Sequence, residues 1–323
     1  MKRKLLVILL GVMSCIYGLA FAQEPKFPTK PIRMVVGYAP GGGSDIMGRL
    51  IAPHITKAMG QPIIVENRPG AAQNVAAEIV ARAPKDGYTL FMSSASLSVN
   101  ISLYTKINYD PVKDFAPVAL FGTAPNVLLV HPSFPAATAK EFFAVVKKNP
   151  GKYNYSTSGI GSTQHLTGEL LKLTLNSDIV HVPYKGTGPA MTALAGGEVN
   201  FAFGNVASAQ PMMAAGKIRA LAITSAKRSA LLPDVPTMIE SGLPDFVTGT
   251  WFGLLAPAGT PSSVVNALNA VIVKIVKTEE FRQQLAQIGM DPVAEPPEYF
   301  HKFIIEEINR WSKVVKAAKI KVE

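Results

Sequence analysis

Ile32-Arg33-Met34-Val35-Val36-Gly37-Tyr38-Ala39-Pro40-Gly41-Gly42-Gly43-Ser44-Asp45 reads as a buried strand that runs into a glycine turn and opens a helix. Residues 32–37 form a near-continuous apolar run, and Pro40 with the three glycines stops it. The helix starts near Ser44. Ile46, Leu50, Ile55 and Met59 give it one apolar face, and Gly60-Gln61-Pro62 ends it. The alternation continues with a strand at 62–67, a turn at Arg68-Pro69-Gly70, a small-residue helix at 71–83 and a strand at 88–93. Strand–helix alternation of this kind predicts α/β layers around mostly parallel sheets.

Two longer extended segments organise the rest. Residues 118–130 are apolar, interrupted by Gly122 and Pro125, and residues 218–224 form a comparable run. Between them lies a complete α/β unit, with strands at 153–157, 179–182 and 199–203 and helices starting near Ala139, Ser162, Gly188 and Val206. The expected architecture is one lobe (126–224) inserted into another (23–125 and 225–323). The two extended segments serve as crossovers and hinge, and the cleft between the lobes as the ligand site. The chain returns with a strand at 251–256 and a Pro261-initiated helix. A last helix carries Phe300, Ile304, Ile308, Trp311 and Val315 at core spacing.

Residues 1–22 have the form of an export signal. Lys2, Arg3 and Lys4 precede an apolar run, and Ala20-Phe21-Ala22 offers a cleavage site, so the mature chain is expected to begin at Gln23, in the periplasm. Lipid attachment at Cys15, the single cysteine, is a competing reading of the same segment. A mature chain without cysteine excludes disulfides and thiol chemistry. Removing the three leading basic residues lowers the 32 Lys and Arg to 29, against 22 Asp and Glu. Export makes nucleic acid an unsuitable partner for this charge, and an anionic solute a suitable one. The basic residues cluster only at Arg310, Lys313, Lys316, Lys319 and Lys321, which read as a solvated helix end.

The chemistry is concentrated in two turns of one design. Tyr38 to Asp45 lies in the first lobe, and Ser158-Gly159-Ile160-Gly161-Ser162-Thr163-Gln164-His165 in the second. Glycine lets the main chain approach a ligand, and a helix start offers unpaired N–H groups at a positive dipole end. Facing each other, the turns would clamp an acidic molecule. Charge-assisted hydrogen bonds of about 1.5–3 kcal/mol each would reach the ~8 kcal/mol of micromolar binding. Each turn can equally be a tight connection alone. Asp45 either favours the helix start or accepts from a ligand donor or water, and His165 either donates to a carboxylate or packs. Neither turn has a third fingerprint glycine or a Gly-Lys-Ser/Thr, so no nucleotide cofactor is expected. His54, His131, His165, His181 and His301 show no metal spacing. Ser162 with His165 lacks a third group to orient the base, so the chain is expected not to be an enzyme.

Further motifs stand in order along the chain. They are Phe27-Pro28-Thr29-Lys30-Pro31-Ile32-Arg33, Tyr38-x-Pro40-Gly41-Gly42-x-x-Asp45, Val65-Glu66-Asn67-Arg68-Pro69-Gly70 and Asp86-Gly87-Tyr88-Thr89-Leu90, then Val182-Pro183-Tyr184-Lys185-Gly186, residues 216–222 and Ala256-Pro257-Ala258-Gly259-Thr260-Pro261. The set resembles the Bug receptors of tripartite tricarboxylate transporters over essentially the whole mature chain. The resemblance implies a Venus-flytrap (type II-like) fold, and a periplasmic receptor that takes a di- or tricarboxylate, acidic amino acid or aromatic carboxylate to membrane permease subunits; a monomer is expected. It also implies ligand contacts, partly through waters, at Gly42, Gly43, Ser44 and Asp45 and at Ser158, Gly161, Ser162 and His165. Ser94, Tyr184 and Asn205 are implied to line the cleft. Ser93-Ser94-Ala95-Ser96 and Phe203-Gly204-Asn205 depart from the family's usual residues, which leaves the ligand open. A periplasmic sensor subunit with the same binding is the alternative. A transcription-factor effector domain would need an N-terminal helix-turn-helix instead of a signal segment.

Overall fold

The computed structural model describes residues 27–320, so the signal segment, Cys15 and Lys321 lie outside the described residues. The first sheet contains β1 (Ile32–Val36), β2 (Ile63–Asn67), β3 (Thr89–Ser94), β4 (Phe115–Pro125), β10 (Gly249–Pro257) and β11 (Asp291–Pro292), in the order β11-β4-β10-β3-β1-β2. The second contains β5 (Val127–Val130), β6 (Asn154–Thr157), β7 (Val180–Pro183), β8 (Phe201–Gly204) and β9 (Arg219–Ile223), ordered β7-β6-β8-β5-β9. Helices cover both: α1 (Gly43–Met59), α2 (Asn74–Ala81), α3 (Ser96–Leu103), α8 (Ser262–Val276), α9 (Glu279–Gln287) and α10 (Pro297–Ala317) on the first, α4 (Ala139–Lys148), α5 (Thr163–Leu175), α6 (Thr187–Ala195) and α7 (Val206–Ala214) on the second.

Both faces of each sheet are buried, which is why the strands read as unbroken apolar runs. Ile32, Met34 and Val36 enter the core beneath α1 and α8, while Val35 between them joins the opposite core with Phe300 and Ile304. In β5, Leu128 and Val130 share one core with Phe142 and Phe201, and Val127 and Leu129 the other with Met191 and Leu194. The two-residue period of a strand produces both divisions. The sheets are mixed rather than mostly parallel. β1, β2 and β3 run parallel, but β10 is antiparallel to β3 and β4, and β5 is antiparallel to β8 and β9. The segments entering from the other lobe run against the strands they meet.

The crossovers differ in place from the expectation. The apolar run at 118–130 is two strands, one in each sheet, separated by Asn126. The run at 218–224 is not a crossover. β9 stays in the second sheet, and residues 225–248 turn back onto the same lobe, where Met238, Leu243 and Phe246 join the core of Phe142 and Phe201. The return crossing therefore comes at Thr248, not after Thr224. Gly249 follows it because a Cβ there would stand 2.5 Å from the Ala124 carbonyl of the other crossing strand. Residues 225–248 make only one strand-like bridge, Ile223 to Thr237, so no periodic pattern betrayed their allegiance.

Three chain segments thus meet at the waist, joined by buried hydrogen bonds. Asn126 N–H donates to Thr224 Oγ1 (2.8 Å) and Thr224 N–H to Asn126 O (2.8 Å). Thr248 N–H donates to Thr224 O (3.0 Å), and the Thr224 hydroxyl to Thr248 O. Asn126 Nδ2 reaches Thr167 Oγ1 on α5, whose hydroxyl lies 2.9 Å from that of Thr248. α10 lies across both lobes. Phe300 and Ile304 pack on the first, while Trp311 and Val315 form an apolar seam with Val99, Leu103 and, from the second lobe, Leu166. Among the described residues no helix is long and apolar enough to cross a membrane. Replacing Thr224 by the isosteric Val removes a hydroxyl that serves two buried backbone groups. The expected cost is about 1–3 kcal/mol, read from urea unfolding. An unchanged midpoint would show that the waist is not held by this knot.

Candidate functional site

The first turn ends at a helix start that no side chain caps. Gly42 occupies the N-cap position of α1 and has no side-chain oxygen to offer, so the first-turn N–H groups of Gly43, Ser44 and Asp45 lack an intrahelical acceptor. The Asp45 carboxylate is turned into the protein. The residue is 3 % exposed, and its carboxylate accepts from Gly41 N–H (3.0 Å), Arg49 Nε (2.9 Å) and Asn67 Nδ2 (2.9 Å). Burial alone would raise its pKa. The hydrogen bonds from Arg49, Gly41 and Asn67 outweigh burial and hold the carboxyl below its usual range. Asn67 also donates to Tyr38 O (2.9 Å), so β2 and α1 together fix the turn. Pro40 is exposed on the turn, and Ser44 is buried at the helix start.

The second turn is held from within. Ser162 caps α5, accepting from His165 N–H (3.2 Å) and donating to Gly159 O (2.7 Å). Ser158 donates to Gln164 Oε1 (2.9 Å). His165 is 4 % exposed, and its Nδ1 accepts from Gly161 N–H (3.2 Å). Its ring stacks on His181 at 4.1 Å, and His181 Nε2 lies 2.7 Å from Thr157 Oγ1. The hydroxyl of Ser162 and the Nδ1 of His165 are therefore committed to the loop. The N–H groups of Thr163 and Gln164, the first two of α5, lack intrahelical acceptors.

The two turns meet across the waist. The Tyr38 and Ser96 hydroxyls are 2.7 Å apart, and Ser96 donates to Gly161 O (3.3 Å) in the opposite lobe. A Cβ on Gly161 would stand 2.6 Å from Leu103 Cδ2, and its φ of +83° is one that L side chains rarely adopt. A Cβ on Gly43 would stand 3.0 Å from Phe252 and 3.5 Å from Asn205 Nδ2. Between the lobes lies a narrow cavity lined among others by Gly43, Met47, Thr187, Asn205, Ser208 and Met290.

Three helix starts converge on that cavity. Gly43 begins α1, Thr187 begins α6, which no side chain caps, and Asn205 caps α7 by accepting from Ser208 N–H (2.9 Å). Thr187 and Ser208 were missed, although Gly186-Thr187-Gly188 repeats the strand-to-helix glycine signal of the other two turns. Two residues expected to line the cleft are engaged elsewhere. The Ser94 hydroxyl donates to Gln73 Oε1 (3.2 Å), and Gln73 is fully buried. The Tyr184 hydroxyl is directed at Glu198 (3.5 Å), and its ring packs on the second-lobe core. The expected helix at 71–83 begins late. Ala71, Ala72 and Gln73 all have positive φ, a turn that places Gln73 under Ser94, and the α-helix starts at Asn74.

The histidine pair makes stability depend on pH. Burial lowers the pKa of His165 to about 4. Burial, then the neighbouring His165, lowers that of His181 to about 3. An unfolded histidine titrates near ~6.5, so the unfolded chain binds the protons first. The stabilisation is full above pH ~6.5 and is lost as pH falls towards about 4. The urea midpoint is expected to fall between pH 7.5 and 5, and His181→Gln to flatten that fall. A wild-type midpoint independent of pH over this range would contradict the assignment.

Residues 47–320 match the tripartite tricarboxylate transporter family receptor profile. Protein BugT of Bordetella pertussis is 35 % identical over 321 residues, covering 98 % of each chain. Among solved structures, R. palustris Rpa4515 with adipate superposes with a TM-score of 0.88 at 36 % identity, over 92 % of this chain and 100 % of that one. MatC from Rhodopseudomonas palustris with bound malate gives 0.82 at 37 %, over 90 % and 100 %. With the two-lobed α/β fold and the inter-lobe cavity in place, the chain belongs to the tripartite tricarboxylate transporter receptor family of periplasmic solute-binding proteins.

Proposed function

We propose that the protein captures a small carboxylate in the periplasm, in the size range from malate to adipate, and delivers it as a monomer to membrane permease subunits. The observation that carries this reading is the convergence of helix starts from both lobes on one cavity. Their N–H groups and dipole ends attract an anion without a cationic side chain. Gly43 and Asn205 supply contacts from opposite lobes, and Met47 and Met290 an apolar wall for a carbon chain. The bound state of the two neighbours supports the ligand class, since one holds adipate and the other malate.

Closure does the rest. The Tyr38–Ser96–Gly161 chain and the Leu166–Trp311 seam exist only while the lobes are together, so a ligand that touches both lobes stabilises the shut form by its differential affinity for it. The ligand leaves unchanged. The hydroxyl of Ser162 donates to a main-chain carbonyl and accepts from the main-chain N–H of His165, not from its ring, which argues against a nucleophile–base pair.

A thermal-shift screen of carboxylic acids is expected to find at least one strong stabiliser. A ligand at a hundred times its Kd contributes about 2.7 kcal/mol, enough for a rise of several degrees. A flat response across mono-, di- and tricarboxylates and acidic amino acids would sink the reading. Gly161→Val strains the turn, where φ is +83°, and presses on Leu103 and Asn100 when the lobes shut. It is expected to weaken binding of the stabilising acid at least about tenfold, by calorimetry, with circular dichroism unchanged. Undiminished affinity would place the closing contact elsewhere.

A further inference from the structure

The second lobe has a pocket of its own, at the pole away from the cleft. β5 ends there, and β6 and β8 begin there. The other ends of β6 and β8 lead into Ser158 and Asn205, so the pocket and the cleft lie at opposite ends of the same strands. Four residues of strand put roughly 13 Å between them. The pocket holds about 230 Å³, room for a small solute.

Its lining offers donors and no acid. His131 Nδ1 accepts from Ser133 N–H (3.2 Å), which leaves the proton of the neutral ring on Nε2. Gly197 keeps that nitrogen uncovered, because a Cβ there would stand 3.5 Å from it. Asn200 is oriented in the same way. Its Oδ1 accepts from Asn154 N–H (2.9 Å), so Nδ2 is the spare end, without an acceptor among the described residues. Lys152 Nζ lies over the Tyr153 ring, 5.5 Å from its centre. No lining residue is acidic, and the carboxylate of Glu198, next to Gly197 in the chain, meets the Tyr184 hydroxyl (3.5 Å) instead.

The rim of the pocket has its acceptors drawn away. Arg219, on β9, donates through Nη2 to the carbonyls of Pro132 (3.4 Å), Phe134 (3.2 Å) and Ala136 (3.1 Å), and its Nε is buried without an acceptor. Among the described residues neither Arg219 nor Lys152 forms an ion pair with a carboxylate. Two positive charges therefore flank a space whose polar lining donates, and a concave surface of one sign attracts the opposite charge.

We propose that this pocket is a second anion site, which takes a small oxyanion between His131 Nε2, Asn200 Nδ2 and the Lys152 ammonium. The three donors come from the end of β5, the start of β8 and the start of β6, so an anion with several oxygens can meet them together. Phosphate, sulfate and a short carboxylate share that chemistry. The site stands apart from the cleft and does not depend on what the cleft binds.

The test is amide NMR on the ¹⁵N-labelled mature protein, with inorganic phosphate titrated against chloride at constant ionic strength and constant pH. The amides of Ser133, Gly197 and Asn200 are expected to shift and saturate, with a Kd of about 10 mM or below. Lys152→Gln changes an exposed side chain and is expected to weaken that binding roughly threefold or more, as is His131→Phe. Repeating the titration with sulfate and acetate separates the sources: tighter phosphate and sulfate mark a tetrahedral anion, tighter acetate an organic acid, and each supports an oxyanion site. Shifts that stay linear to about 50 mM, for all three anions, would overturn the proposal. So would an affinity unchanged in Lys152→Gln, which decides the matter even if His131→Phe does not fold. The acid found by the thermal-shift screen is expected to bind both variants as it binds wild type. Loss of that acid's binding in a folded Lys152→Gln would trace the shifts to the cleft and overturn the second site.

Discussion

The first N–H groups of an α-helix have no acceptor within the helix, and something outside must meet them. Much of this molecule is arranged around that deficit. At α5 a serine hydroxyl supplies one acceptor, and at α7 an asparagine does. At α1 and α6 the cap position is glycine, and the groups stay open beside the inter-lobe cavity. The carboxylate that might have closed α1, Asp45, is drawn aside by Arg49 and Asn67. In the proposed receptor, a solute with oxygen anions completes what the main chain leaves unfinished.

The remaining features keep those helix starts in register. Two sheets, each buried on both faces, fix the strand ends from which the turns project. A polar knot of Asn126, Thr224, Thr248 and Thr167, all buried, occupies the waist. Polar and satisfied, it gives the crossing segments a defined geometry without sealing the lobes together. Against it stands the apolar seam of Leu166 with Trp311 and Val315, which favours the shut arrangement. The two differ in character, one joined by hydrogen bonds and one by apolar packing.

Much of this was legible in the residues. The strand–glycine–helix pattern at 32–45 and 158–165 located both turns and the helices that follow them, because turn chemistry and apolar period are local signals. What escaped were properties that depend on partners far away in sequence. Residues 225–248 carry no period, so only Met238, Leu243 and Phe246 packing into a core assigned them to a lobe. Ser94 looked free until Gln73, in an unusual left-handed stretch of non-glycine residues, took its hydroxyl. His165 and Ser162 had the right chemistry for a ligand, but the turn itself engages them, and no spacing rule distinguishes a donor that faces outward from one that faces its own loop. Thr187 carried a readable signal, a glycine on either side of it at a helix start expected near Gly188.

Main-chain donors have one further property: every residue except proline carries the same one. In the proposed receptor, an anion at the starts of α1 and α6 would be held by groups that no substitution except proline deletes, so long as the turns keep their shape. Thr187, Ser208, Met290 and Asn205, by contrast, present side chains to the same cavity and are free to change. Divergence in such a scaffold can alter which molecule is accepted while the capacity to take up negative charge passes unaltered from one descendant to the next.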